Sequence, residues 1–456
     1  MLTPAFNLRQ DENFLVIEIK APYTKISDAE IFFEEDDFRF FSSPYYLRLL
    51  LPGKVVENGT EAAKYEADTG TFVVSMAKQQ PGEMFEGLDL LTKLLAPRRS
   101  TKPPTIQVLD DEPLDCQIEQ VPWTAQDEED LKLGGRHYGF ARQSTGVIAR
   151  LKESIPELVD ICDPEHKSLK EAREERERVE NKHFNEEHYL SQDKTKAKCM
   201  QWADLYDGDT IESLLCEPTT TKSAQFSEEE KTRMCRLPRR EYILFVFKIL
   251  WILFHLGFLD GITHLLKEKM QQTLLLGLAD ILFAYAYDLR ITQGEHCVES
   301  AWTISKLSAT LSWFEVRFES AESVVQSSIR RSLCYPLYRS WKLAQKVLSD
   351  VIVFLRRGTC SVVQCLLDVH AIFEQHDSCY VLNQLYMDDY ASWSQHLRTE
   401  TLEGLAQELS EVNLSKSSLN LDLEELEAGA DAALTEQASE LADAVVTLHL
   451  DSDDSE

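Results

Sequence analysis

The sequence predicts a multidomain protein: an N-terminal all-β antiparallel sandwich, then a large all-α domain and a disordered acidic tail. Three observations lead to this prediction. Short alternating strand patterns fill residues 1–95, helical periodicity dominates residues 137–410, and no Lys or Arg follows Lys416. A chain of 456 residues also exceeds what one hydrophobic core usually organises, so we expect two or three units.

The N-terminal strands are recognised by alternation. Between positions 13 and 22, Leu15, Ile17 and Ile19 fall on one face of an extended chain, and polar residues fall largely on the other. Pro and Gly predict turns between the strands. The remaining predicted strands are 29–33, 38–42, 45–51 and 71–77, with turns or breaks at 22, 44, 52–53, 58–59 and 69–70. Strands this short, without intervening helices, are typical of an antiparallel sandwich.

The rest of the chain is assigned by periodicity and composition. Residues 96–136 are predicted to form a linker, because a basic, proline-rich opening continues into an acidic stretch of weak periodicity. Ser144 is predicted to cap a helix, and the charged residues 165–190 a solvated helix or a strut between units. Further helices are predicted near 274–290, 297–316, 319–334, 336–356, 359–376 and 378–397, and the tail 411–456 is predicted to be disordered. In the helix 336–356, Leu337, Trp341 and Ala344 begin a stripe of apolar residues at three- and four-residue spacing that predicts a core face.

The acidic charge balance restricts the partners. Lys and Arg number 47 against 78 Asp and Glu, a formal net charge of -31, which disfavours direct binding to nucleic acid or anionic membranes and favours a basic protein partner. The ten cysteines include no C-x-x-C pair, which argues against a disulfide framework or zinc module. Because the opening residues lack a signal-peptide pattern, we expect a location in the cytosol and nucleoplasm.

One apolar segment, residues 244–270, has several interpretations. It approaches the length of a membrane span, yet Lys248 and His255 lie within it, and a charge near the middle of a span is costly. We therefore favour a buried core helix over a membrane helix.

The motifs of common enzymes are absent from the sequence. It contains no phosphate-binding glycine loop, dinucleotide fingerprint or nucleophile elbow, so we predict no enzyme activity and no cofactor. His183 and His188 are spaced too far apart for one metal on a helix face, so no metal site is predicted. We interpret Cys360 and Cys365 as packing residues. Basic pairs such as that at 330–331 are interpreted as helix-end charges rather than an RNA-binding stripe.

Residues 334–343, CYPLYRSWKL, are the strongest candidate for a partner contact. They concentrate the aromatic and arginine side chains that dominate protein interfaces. The candidate partner-binding residues are Trp302, Tyr335, Tyr338, Arg339 and Trp341. An equally simple alternative places Pro336 in the first turn of a helix whose aromatic side chains face the core.

Several stretches resemble a known family. NFLVIEIKAPY, FRFFSSPYYLRLLLPG and DTGTFVVSMAK resemble a CS domain, the sandwich of several heat-shock co-chaperones. HYGFARQSTGV, LPRREY, GLADILFAYAYDLR, ESAWTISKLS and SLCYPLYRSWKLAQKVLSDV resemble the helical domain of the SHQ-type assembly chaperones that bind dyskerin. The resemblance covers about residues 1–95 and 137–397. Residues 241–273 depart from the family pattern, where a short polar passage is expected, so a gene-model artefact or an isoform insert is a further interpretation of this segment.

The resemblance implies a chaperone for H/ACA snoRNP assembly, and thus a role in ribosome biogenesis. In that family the helical domain occupies the RNA-binding surface of the pseudouridine synthase dyskerin, and this chain's acidity suits such RNA mimicry. The alternative is a CS-domain co-chaperone or adaptor of the ATP-driven heat-shock machinery. The large helical domain favours the first function, because the simplest co-chaperones lack it.

Overall fold

The computed structural model confirms the predicted fold class, an antiparallel β-sheet followed by a helical region. It describes residues 2–88, 90, 94–95, 136–152, 155, 157–190, 226–238, 260–315, 318–433 and 435, with backbone only for 260–268. The chain divides into two compact units. The first comprises Met1–Leu158, Thr232–Ile249 and Phe373–Ser392, and the second Val159–Lys231, Leu250–Ile372 and Trp393–Glu456.

Six strands form the N-terminal part of the first unit. They are β1 (Ala5–Gln10), β2 (Phe14–Lys20), β3 (Glu30–Ser42), β4 (Tyr45–Val56), β5 (Ala62–Glu66) and β6 (Thr71–Lys78). All pairings are antiparallel, in the order β1-β2-β6-β4-β3, with β5 also pairing with β6. The predicted inward residues Leu15, Ile17 and Ile19 are fully buried. The rings of Phe40 on β3 and Phe72 on β6 lie 4.9 Å apart in the same core.

The strands differ from the prediction at three places. The predicted strands 29–33 and 38–42 are one strand, β3, which is irregular at Glu35, where φ is 53° and the register with β4 shifts. Pro52, a predicted turn residue, lies inside β4 opposite this irregularity, where the ladder does not require its missing N–H. Strands β1 and β5 were not predicted, since their apolar residues are few.

A close approach inside β4 supplies a stability test. A Cβ atom on Gly53 would lie 2.1 Å from the buried ring of Phe85, so Gly53→Ala must displace that ring. We expect it to lower the free energy of unfolding by about 1–3 kcal/mol, the cost of overpacking. Gly404, on an exposed helix face with open space around it, is the matched control. Gly404→Ala should stabilise by about 0.5–1 kcal/mol. Calorimetric melting of both variants checks the opposite signs, and an unchanged Gly53→Ala melt would contradict the packing argument.

Thirteen α-helices follow among the described residues up to residue 411. They are α1 (Val147–Leu151), α2 (Leu169–His183), α3 (Glu186–Leu190), α4 (Glu228–Arg236), α5 (Asp260–Thr292), α6 (Ser300–Leu307), α7 (Ala309–Ser312), α8 (Ala321–Cys334), α9 (Trp341–Arg356), α10 (Thr359–Gln375), α11 (Tyr380–Leu382), α12 (Asp388–Ser394) and α13 (Thr399–Glu411). A π-helical turn, Asn383–Met387, joins α11 to α12.

Helix α5 is the central element of the second unit. Every residue from 274 to 290 is buried, which explains why its sequence is apolar on all sides rather than on one stripe. The helix begins at Asp260, so residues 260–270 of the apolar segment 244–270 belong to it. Residues 244–259 lie outside the described part of the chain. Among the described residues, no helix is both long and apolar enough to cross a membrane.

Several helix ends differ from the prediction. Helix α1 has five residues, and Gly146 in the left-handed conformation, not Ser144, occupies its N-cap position. The predicted helix 297–316 is interrupted at Ser308, whose side chain caps α7. Helix α9 begins at Trp341 after the N-cap Ser340, so Pro336 lies in the preceding turn rather than in the first helical turn.

The first part of the predicted disordered tail is folded. Lys416–Leu419 forms a 3₁₀ turn and residues 423–433 are helical. Leu419, Leu421 and Leu423 are buried, which gives this otherwise acidic segment an apolar anchor. The predicted tail after residue 435 lies outside the described residues.

Candidate partner-binding surface

Four of the predicted partner-binding residues lie together at the connection between α8 and α9. Tyr335, Tyr338 and Arg339 belong to residues 335–340, which we name the 335–340 turn, and Trp341 begins the next helix. Trp302 lies on a different helix, α6, and is 39% exposed.

Hydrogen bonds fix the backbone of the 335–340 turn. Four of its carbonyl oxygens, those of residues 335 to 338, accept hydrogen bonds from side chains. The Arg339 guanidinium donates to Pro336 O at 2.8 Å and Tyr335 O at 3.4 Å, and the Tyr287 hydroxyl donates to Tyr338 O at 2.6 Å. His188 Nε2 lies 2.7 Å from Leu337 O. The turn is therefore a rigid platform.

The candidate side chains have different environments. The Arg339 guanidinium donates hydrogen bonds to the turn's own carbonyls, so it holds the turn in place. The Tyr335 ring lies 4.6 Å from the Arg331 guanidinium, and burial raises the pKa of its hydroxyl. Tyr338 and Trp341 are half-buried. Of the five, Trp302 is the most exposed.

The most exposed apolar side chain of the turn was missed by sequence reasoning. Leu337 is 60% exposed, although its spacing to Trp341 and Ala344 predicted that it belongs to the core stripe of one helix. That prediction was wrong because the helix begins only at Trp341, so residue 337 does not share its periodicity. A leucine on a rigid turn is a preorganised apolar contact.

Next to Tyr335 lies a set of charges, here called the buried ion cluster: the buried Glu180, Arg330 and Arg331 and the partly buried Asp160. Arg331 is 0% exposed and donates to Glu180 Oε1 at 2.9 Å and Asp160 Oδ2 at 3.2 Å. It also donates to the Lys306 carbonyl and to Ser312 Oγ. Arg330 Nε donates to Glu180 Oε2 at 2.9 Å. The basic pair 330–331 is therefore internal, at the end of α8.

The balance of forces keeps Arg331 charged. Desolvation lowers the pKa of its guanidinium, but the negative charge of Glu180, with Asp160, raises that pKa more strongly, and the net shift is upward. Because both carboxylates are satisfied by guanidinium donors, the cluster holds its charges without an unpaired ion.

The cluster gives the charged helix α2 a role in packing. Arg173, Arg176 and Glu180 recur at three- and four-residue spacing, so they share one face of the helix. Arg173 donates two hydrogen bonds of 3.1 Å to the Glu315 carboxylate, and Arg176 Nη1 lies 3.2 Å from the same carboxylate. The predicted solvated helix is therefore solvated on one side only. The three- and four-residue spacing of these charges was the feature of the sequence that could have predicted a packed face on this helix.

The described residues contain no group of three or more His, Cys, Asp or Glu that could hold a metal ion. The side chain of His183 lies 2.8 Å from the Val179 carbonyl, and Cys365 is fully buried, where desolvation raises the pKa of its thiol. The arrangement offers a rigid apolar turn supported by buried charges.

Comparison with known proteins identifies two matched regions. A family model described as "SHQ1-like, CS domain" matches residues 3–95, and one described as "SHQ1 protein, Shq1 domain" matches residues 216–423. The second region includes Trp302 and the 335–340 turn.

Relatives align along nearly the whole chain. "Protein SHQ1 homolog" of Mus musculus is 40% identical over 453 residues, which cover 94% of this chain and 75% of the relative. "Protein shq1" of Schizosaccharomyces pombe is 29% identical over 471 residues, covering 94% and 96% of the two chains. "Protein SHQ1 homolog" of Caenorhabditis elegans is 30% identical over 463 residues, covering 96% and 99%.

Proposed function

Because this chain belongs to the SHQ1 family, we propose that it is an assembly chaperone for H/ACA ribonucleoproteins. Its partner in this proposal is a dyskerin-type pseudouridine synthase, held soluble and free of RNA in the cytosol and nucleoplasm. The match to both family models carries the proposal, and family membership supports a chaperone or assembly-factor role. The role requires no catalysis by this chain.

The charge of the chain supports the choice of partner. A formal net charge of -31 favours a basic protein surface, and the RNA-binding surface of a synthase is one. We propose that the contact includes Leu337, Trp302, Tyr338 and Trp341 of the second unit, because these side chains are exposed or half-exposed. The region matched by the Shq1-domain model favours this function over a heat-shock adaptor, since a CS domain alone suits either.

A competition titration tests the proposal. Guide RNA added to a preformed complex of this chain and the synthase should displace the chain, and excess chain should raise the apparent Kd of the synthase for RNA. Association should accelerate at low salt, because complementary charges steer the encounter. The Leu337→Asp chain is the control, since it should compete poorly. A stable ternary complex of RNA, synthase and chaperone would contradict the proposal.

The full chain is the right material for this experiment. The first unit combines the sandwich with Phe373–Ser392 of the helical region. A cut in the 96–136 linker would separate these parts, so point substitutions are cleaner than truncations.

A further inference from the structure

The first unit contains a polar contact between one end of the sandwich and the segment 377–384 of the helical region. Gln384 uses both ends of its side-chain amide, accepting from the Tyr23 N–H at 2.7 Å and donating to Thr24 O at 3.5 Å. The Tyr380 hydroxyl donates to Ser43 O at 3.1 Å. These side chains form hydrogen bonds with backbone groups of the sandwich, as a neighbouring strand would.

The backbone on both sides is shaped for this contact. Tyr23 has φ 60°, a left-handed conformation that side chains rarely adopt, and its N–H faces the Gln384 oxygen. Gln384 lies in the π-helical turn Asn383–Met387, and one-turn π-helices concentrate at functional positions. The strained backbone of Tyr23 and the irregular helical turn that carries Gln384 are therefore in contact.

The other contacts are polar and partly open to solvent. Lys25 Nζ lies 3.3 Å from Asp377 Oδ1, but the Asp377 side chain is 97% exposed, so this ion pair contributes little. Burial raises the pKa of the Tyr380 hydroxyl to about 12, which keeps it a neutral donor. A polar contact of this kind stays formed because the two parts belong to one chain, so that each is present at a high effective concentration near the other.

We propose that this contact, the Gln384 latch, is a releasable interface that closes the 23–25 end of the sandwich to other proteins. The occupant of that end is the chain's own 377–384 segment. Opening the latch would free the backbone of Tyr23 and Thr24 for an external partner and expose the amine of Lys25, which keeps its ion pair with Asp28. The inference concerns the sandwich and stands independently of the synthase contact proposed above.

Hydrogen exchange in the full chain tests the latch. In Gln384→Ala, the Tyr23 amide should exchange about tenfold faster than in the unaltered chain, whereas the core amides of β2 and β6 keep their rates. Gln407→Ala is the matched control, because among the described residues the Gln407 amide bonds only to Glu411, on its own exposed helix face. Tyr380→Phe, which removes one hydroxyl, should raise exchange at the Ser43 and Tyr45 amides and serves if Gln384→Ala proves unstable.

Two further outcomes decide whether the latch is releasable and closed. In the unaltered chain the Tyr23 amide should exchange about 100-fold faster than the core amides of β2 and β6, since the latch opens without global unfolding. Acetylation with N-hydroxysuccinimidyl acetate should be slow at Lys25, whose side chain is 11% exposed, compared with Lys64 at 75%, and should accelerate at Lys25 in Gln384→Ala. Equal exchange at Tyr23 in both chains, Tyr23 protection equal to that of the core, or unchanged Lys25 labelling would each overturn the proposal.

Discussion

Replacing Arg331 with alanine is expected to lower the free energy of unfolding of the second unit by about 3–5 kcal/mol. The substitution removes the Arg331 guanidinium from Glu180 and Asp160, which leaves Glu180 only Arg330 and Arg176, and Asp160 only Lys306, as cationic partners among the described residues. It also removes the hydrogen bonds from Arg331 to Lys306 O and Ser312 Oγ, so α2, α6 and α8 lose the side chain that connects them. A buried carboxylate that loses one of its partners, and buried acceptors left without a donor, are costly beyond the lost attraction itself.

Two variants separate this effect from a general loss of charge. Arg173→Ala removes an arginine from the face of α2 that also carries Glu180. Because the Arg173 side chain is 36% exposed and Arg176 also binds Glu315, the free energy of unfolding should fall by about 1 kcal/mol or less. Arg331→Lys should recover little, because an ammonium lacks the planar fork that reaches these acceptors. Urea unfolding measures all three. An Arg331→Ala loss no larger than that of Arg173→Ala would rule out the cluster as a main support.

Leu337→Asp is expected to weaken binding to a dyskerin-type synthase by about thirtyfold or more, the loss typical of an interface hot spot of about 2 kcal/mol. The side chain is exposed on a turn whose carbonyls are fixed by hydrogen bonds, so a contact there loses little entropy on binding. A carboxylate in its place would be desolvated against the partner. The thermal melting curve should change little, because Leu337 is not a core residue.

The control for this substitution is Met84→Asp on the sandwich side, at a residue 62% exposed and therefore equally open to solvent. It should leave the Kd unchanged. Titration calorimetry with the full chain measures both variants. If Met84→Asp weakened binding and Leu337→Asp did not, the partner contact would lie on the sandwich rather than at the 335–340 turn.

The local patterns of the sequence sufficed for the fold class and for most elements. Alternation at 13–22 predicted strand β2, and three- and four-residue spacing predicted helices α8, α9 and α10. These patterns are reliable because burial of one face repeats with the period of the element itself. Charge composition similarly favoured a basic partner, and motif resemblance indicated a family, before any contact was known.

The tertiary structure decided where polar residues are buried and where apolar ones are not. Glu180 and Arg331 read as surface charges in sequence, yet they are internal because each finds the other across helices 151 positions apart. Leu337 reads as core, yet the late start of α9 exposes it. The acidic segment after residue 411 packs through three leucines that composition obscured. A side chain's own neighbours in sequence fix its local conformation, whereas the free energy of burying a charge depends on distant partners that only the folded chain brings together.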